Sequence, residues 1–184
     1  MDGKKEGKFI TRTTGDGKIV RIPVGTIKGA LDGPQITIYG GQHGIEYDGI
    51  IAVQQLYAML DPSEIHGTIV ISLATNEESL LNWIQFAPTT PEITSMMHEL
   101  AQGSQYFVNC HGEEFSEGMC PYVICHQVGK EEIDTEALEM AKAFGLPYIS
   151  LSKYRGKPPQ NLGLIWRLLG EAYPGPRARP VRTL

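Results

Sequence analysis

Pro34-Gln35-Ile36-Thr37-Ile38-Tyr39-Gly40-Gly41-Gln42-His43-Gly44-Ile45-Glu46-Tyr47-Asp48-Gly49 is the stretch around which the chain is organised. A short β-branched run ends in paired glycines, which reads as a strand followed by a tight turn. Lacking Cβ atoms, the glycines let the backbone turn sharply and leave room beside a bound group. His43 and Glu46 follow, three residues apart, where a helical pattern begins. At that spacing two side chains share one helix face and can share an ion. Imidazole and carboxylate are both good zinc ligands. The plainer alternative is a surface histidine beside a first-turn glutamate that favours the helix dipole. Context argues for the ligand pair, because the sites of open α/β sheets gather at the carboxyl ends of strands.

A zinc site needs a third protein ligand. Tyr106-Phe107-Val108-Asn109-Cys110-His111-Gly112 is a second apolar run ending in histidine and glycine. Two strand ends carrying His43/Glu46 and His111 would supply two imidazoles and one carboxylate. That is the open three-ligand set of a catalytic zinc, with the fourth position left for water.

The run Gly40-Gly41-Gln42-His43-Gly44-Ile45-Glu46-Tyr47-Asp48-Gly49 resembles the first zinc motif of the succinylglutamate desuccinylase/aspartoacylase family, within the wider zinc carboxypeptidase group. The His111-Gly112 strand end is similar to the second motif, where that family usually has an acidic residue two before the histidine and this chain has Asn109. The resemblance runs from about Val24 to about Gly156. It implies a zinc carboxypeptidase-like fold, Zn2+ on His43, Glu46 and His111, and hydrolysis of amide or ester bonds in small acyl compounds such as N-acyl amino acids.

Composition sets the frame. A hydrophobic fraction of 41% and a charged fraction of 20% are those of an ordinary soluble globular protein, and 184 residues suffice for a real core. The formal net charge of -5 disfavours a general nucleic-acid binder. No apolar run approaches the roughly 20 residues needed to span a bilayer. Met1-Asp2-Gly3-Lys4-Lys5-Glu6 is charged and lacks the apolar core of a signal peptide. Three cysteines, Cys110, Cys120 and Cys125, cannot all pair, which reads as reduced thiols in a cytoplasmic protein. Cys120, Cys125 and His126 fit no standard structural zinc spacing. Cys110 beside His111 is a poor nucleophile pair, since adjacent strand residues point to opposite faces.

In chain order, Lys8 to Thr14 and Lys18 to Ile27 predict two strands around Gly15-Asp16-Gly17, a hairpin signal. Leu31-Asp32-Gly33-Pro34 predicts a turn. A helix is expected from Glu46 to Leu60, burying Ile50, Val53, Tyr57 and Leu60 and stopped by Asp61-Pro62-Ser63. His66 falls in a surface connection. Gly67 to Ala74 has the near-continuous apolar look of a strand covered on both faces. A loop is expected from Thr75 to Thr90. Thr90 and Pro91 then look like an N-cap and first helical residue, with Ile93, Met96, Met97 and Leu100 as core packing and His98 exposed. Pro121 to Gln127 and Tyr148 to Leu151 read as strands around a helix from Glu131 to Phe144, whose stripe is Ile133, Ala137, Met140, Ala141 and Phe144. The alternation predicts an α/β fold: a mixed, largely parallel sheet flanked by helices. Residues 1–156 would form the hydrolase-like domain and residues 157–184 a divergent tail. There, Leu162, Ile165, Trp166 and Leu169 suit one short helix, and the Pro- and Arg-rich end suits disorder.

The chemistry also needs a general base. In the family this is a glutamate on a late strand, beyond the resemblance; Glu113, Glu114 and Glu117 near His111 could substitute. The family also carries arginines between its zinc motifs to grip a substrate carboxylate, a task suited to the guanidinium fork. No arginine occurs between Arg21 and Arg155, and Asn82-Trp83 stands near where the resemblance implies an Asn-Arg pair. The expectation is a truncated family member acting on small-molecule acyl substrates. The alternative is a catalytically impaired zinc-binding remnant serving as a binding or scaffold module.

Overall fold

Ile36 and Ile38 alternate with Thr37 and Tyr39 along one strand, and both sets are covered. The structure, a computed structural model, describes residues 3–82, 90–112, 118, 120–153 and 180–182. They fall into two compact units, Met1–Glu117 and Gly118–Leu184.

In the first unit, β1 (Lys4–Thr13) and β2 (Ile19–Lys28) form the expected antiparallel hairpin, with Gly17 in the left-handed region at φ +83°. Then β3 (Leu31–Gly40) lies parallel to both β4 (His66–Ser72) and β5 (Tyr106–Cys110), and β4 pairs antiparallel with β2. The strand order β1-β2-β4-β3-β5 is a mixed sheet whose parallel part carries the site, as the alternation of elements predicts. One crossover is α1 (Tyr47–Met59), the other α3 (Pro91–Ala101). Val53 of α1 packs with Ile27, Ile38 and Ile71 in a buried cluster lined by Tyr57 and Leu60. On the opposite face, Tyr39 donates its hydroxyl to the Met97 carbonyl of α3 and meets Phe107 edge to face at 4.8 Å. Thr37 donates to the Leu100 carbonyl. Ile93, Met96 and Met97 are buried, and Thr90 Oγ1 accepts the Ile93 N–H, so α3 starts where its cap residues predict. His98 is exposed.

Three expectations need correction in this unit. Leu31–Pro34 is the irregular start of β3 and not a turn: Leu31 pairs with His66 and Gln35 with Thr68. Between those pairs three residues of β3 face one of β4, and a proline without an N–H is tolerated at such a bulge. The Thr75–Thr90 loop contains a short helix, α2 (Glu77–Asn82), whose first N–H groups are met by Asn76 Oδ1 accepting from Ser79 N at 3.1 Å. Six residues are too few to show helical periodicity. His66 is exposed as expected, but it opens β4 and does not lie in a connection.

The second unit is a strand–helix–strand: β6 (Tyr122–Gln127), α4 (Glu131–Ala143) and β7 (Tyr148–Lys153), with the two strands parallel. Asp134 fastens the turn into α4 by accepting from Val128 and Gly129 N–H groups at 2.7 and 3.0 Å. Cys125, Ala141 and Ile149 are its core. The expected stripe is only partly correct. Ala141 is buried and Ala137 packs against the core, but Phe144 lies past the helix end and is 48% exposed, and Leu138, outside the expected stripe, packs there too. The Pro/Arg-rich end, expected to be disordered, contributes β8 (Pro180–Arg182), antiparallel to β7. The predicted short helix at Leu162–Leu169 lies outside the described residues.

Candidate metal site

Parallel pairing of β3 with β5 sets Gly40 opposite Cys110, so both strands leave the sheet at the same carboxyl edge. His43 and Glu46 lie in the turn after β3, and His111 follows the last residue of β5. The structure thus brings together the three residues that the sequence singles out. Gly41 adopts φ +73°, where any side chain would be strained, and a Cβ there would lie 2.6 Å from Ile50. Glu46 occupies the N-cap position of α1 but makes no capping hydrogen bond. Its carboxylate is turned to the histidines instead.

The geometry is compact. Glu46 Oε1 lies 2.6 Å from His43 Nδ1, and Oε2 lies 2.8 Å from His111 Nδ1. The imidazole centroids are 5.0 Å apart, tilted by 49°. One ligand atom from each residue lies within 4.8 Å of the others, and among the described residues this is the grouping able to hold a metal ion. Cys120, Cys125 and His126 do not form one. Tetrahedral zinc with bonds of about 2.0–2.1 Å sets its ligands roughly 3.3 Å apart. Hydrogen-bonded pairs at 2.6 and 2.8 Å therefore need only small side-chain rotations to admit an ion. Both the donor types and the spacing fit. Side-chain exposure falls from 43% at His111 to 14% at Glu46, so the group is anchored inside and approached from the His111 side.

Burial by itself would raise the Glu46 pKa. The hydrogen bonds from His111 and His43, with their electrostatic attraction, outweigh it and hold the carboxyl at about 2, against an ordinary 4.5. A depressed carboxyl pKa stabilises the fold fully above the unfolded value and loses that contribution as pH falls through the folded one. In the metal-free protein, stability is therefore expected to drop by about 3 kcal/mol between pH 4.5 and 2. Acid titration monitored by circular dichroism, with Glu46→Gln as the comparison, checks it: the variant's acid limb should be flatter.

A buried polar clamp, unforeseen from the sequence, holds the turn. Thr75 N–H donates to the Gly40 carbonyl at 2.8 Å and Asn76 N–H to the Gly41 carbonyl at 2.9 Å. Thr75 Oγ1 also reaches the Gly40 carbonyl at 3.0 Å and Ser72 Oγ at 2.8 Å. Gly44 N–H donates to Ser79 Oγ at 3.0 Å. Ser72, Thr75, Asn76 and Ser79 are all buried. The available signal was the Asn76-x-x-Ser79 capping pattern directly after an apolar strand.

Other candidate residues are placed as follows. Glu113, Glu114 and Glu117 lie outside the described residues, as do Trp83 and Arg155. Cys110 packs at the edge of the apolar cluster, and burial pushes its thiol pKa up. Arg12 pairs with Glu99 at 2.6 Å and Arg21 with Glu77 at 2.7 Å. No helix among the described residues is long and apolar enough to cross a membrane.

Residues 32–86 match the model of the succinylglutamate desuccinylase/aspartoacylase catalytic domain, and the stretch Gly40–Gly49 that carries the resemblance lies within them. The mixed sheet flanked by helices is the fold of that family's solved structures. A succinylglutamate desuccinylase/aspartoacylase from Rhodobacter sphaeroides superposes with a TM-score of 0.68 at 22% identity, over 82% of this chain and 52% of the other. A metallo-carboxypeptidase from Burkholderia cenocepacia shares the fold with a TM-score of 0.52 at 17% identity, over 81% of this chain and 49% of the other. In sequence, the chain is 29% identical over 147 residues to an N-alpha-acetyl-L-2,4-diaminobutyric acid deacetylase of Halomonas elongata, covering 70% of this chain and 43% of that protein. The chain spans about half the length of the relatives it matches.

Proposed function

We propose that this chain carries the metal-binding half of a zinc-dependent hydrolase that cleaves amide bonds in small acyl compounds such as N-acyl amino acids. The observation that carries this reading is the convergence of His43, Glu46 and His111 at the carboxyl edge of two parallel strands. A bound zinc ion would supply an activated water and polarise the substrate carbonyl. His43 and His111 would each give it Nδ1, and Glu46 would give it a carboxylate oxygen.

Glu46 is unsuited to a second role as general base. As a zinc ligand its carboxylate would be committed to the ion and so unavailable to take a proton from the water. The base therefore comes from elsewhere, and Glu113, Glu114 and Glu117 follow His111 directly in sequence. Arg12 and Arg21 are already held by glutamates, so neither is poised to grip a substrate carboxylate. The deacetylase from Halomonas elongata, whose name specifies an acetylated diamino acid, guides the choice of assay.

The test is release of acetate from N-acetylated amino acids, the diaminobutyrate derivative included, by the full chain with and without a chelator. Turnover should vanish on chelation and return with added zinc. Turnover that survives chelation would overturn the mechanism. A zinc-loaded chain with no turnover on any member of the panel would favour the binding-module alternative.

A further inference from the structure

Asn109 lies two residues before His111, and its amide nitrogen touches two groups at once. Nδ2 is 2.7 Å from His111 Nε2 and 2.7 Å from Gln42 Oε1. Oδ1, on the same amide, is buried with no hydrogen-bond partner. A buried acceptor left unmatched costs free energy, and its position calls for a reason. The two ends of an amide are nearly alike in shape, so the network determines which one faces the ring.

With Nδ2 toward the ring, Nε2 accepts and the ring proton resides on Nδ1, where it donates to Glu46 Oε2 at 2.8 Å. That tautomer cannot ligate through Nδ1, because a ligating imidazole nitrogen carries no proton. Half a turn of the Asn109 amide puts Oδ1 against Nε2. The ring proton then sits on Nε2 and donates outward, and the Nδ1 lone pair faces the point shared with His43 and Glu46. Gln42 turns with it, exchanging its own amide partners, and offers its N–H to the same oxygen. Oδ1 is then matched while Nδ2 moves into the buried place it leaves, so the exchange is driven by the ion and not by the count of amide hydrogen bonds.

We infer that Asn109 is the positioning residue for His111 in the metal-bound state: its carbonyl oxygen, backed by the Gln42 amide, accepts the Nε2 proton and frees Nδ1 for the ion. This rests on the zinc reading above. A ligating histidine commonly donates its other N–H to a carboxylate or carbonyl, which fixes the tautomer and raises ligand basicity. A neutral amide raises it less than a carboxylate would, so Asn109 sets a weaker metal affinity than an aspartate at the same place.

The experiment is zinc affinity by chelator competition on the full chain, for wild type, Asn109→Leu and Asn109→Asp, with nitrogen-15 spectra of the His111 ring. Asn109→Leu keeps the volume without the acceptor and should bind zinc about 10–100-fold more weakly. Asn109→Asp restores a permanent acceptor and should bind at least as tightly as wild type. Zinc-loaded wild type should show the proton on Nε2. Leu-variant affinity within twofold of wild type, an Asp variant weaker than wild type, or an Nδ1 proton in the loaded protein would each overturn the inference. Failure of the wild type to take up zinc would instead remove the reading on which it rests.

Discussion

Replacing His111 with alanine is expected to abolish zinc uptake at micromolar metal while leaving the metal-free fold intact. One of three protein ligands is lost, so affinity should fall by more than the ~10–100-fold that removal of a supporting partner costs. The side chain is 43% exposed and lies past the end of β5, so little packing is lost with it. Glu46 keeps its 2.6 Å partner His43 and its N–H contact from Gly112. Two melting curves separate the effects. The metal-free melting temperature should fall by a few degrees, because Glu46 loses its His111 hydrogen bond, and the rise produced by excess zinc in the wild type should disappear, because only a ligand bound to the native state stabilises it. His43→Ala should behave alike. A zinc-induced rise of unchanged size in either variant would show that the ion sits elsewhere.

Gly44→Ala should damage both stability and metal affinity. An added Cβ would stand 2.0 Å from Leu80 N and 2.2 Å from the Ser79 carbonyl carbon, both backbone atoms that cannot swing aside. Overpacking of this kind costs typically 1–3 kcal/mol, or roughly 2–10 °C in melting temperature for a chain of this size. The displacement also pulls Gly44 N–H from Ser79 and shifts the turn that carries His43 and Glu46. Gly15→Ala is the control, since a Cβ there meets nothing within 4 Å. Equal melting temperatures for the two variants would mean that the α2 clamp does not press on the site.

The parallel core and the three converging side chains were legible because each rests on a local pattern. An apolar run of the right length ended in Gly-Gly-x-His in one place and in His-Gly in another, and the β-strand period brought both to one sheet edge. What could not be read was tertiary. The buried hydroxyl of Thr75 looks like an ordinary loop group until the Gly40 carbonyl it satisfies is in place, and Ser72, at the end of its strand, joins it through the Thr75 hydroxyl. The six-residue α2 derives its order from packing against Gly44 rather than from periodicity. Leu31-Asp32-Gly33-Pro34 carries every turn residue, yet it extends a strand because β4 offers it a partner. Glu46 looked like a simple first-turn glutamate or one ligand of a pair. That one carboxylate bridges both rings depends on the register of β5 against β3, which no local window contains.

X-ray absorption at the zinc edge, on the full chain loaded with one equivalent of metal, tests the central claim most directly. Nitrogen and oxygen neighbours at about 2.0–2.2 Å are expected, with the outer-ring signature of two imidazoles, falling to one in His111→Ala. A sulfur neighbour at about 2.3 Å, or a spectrum unchanged by that substitution, would contradict the account.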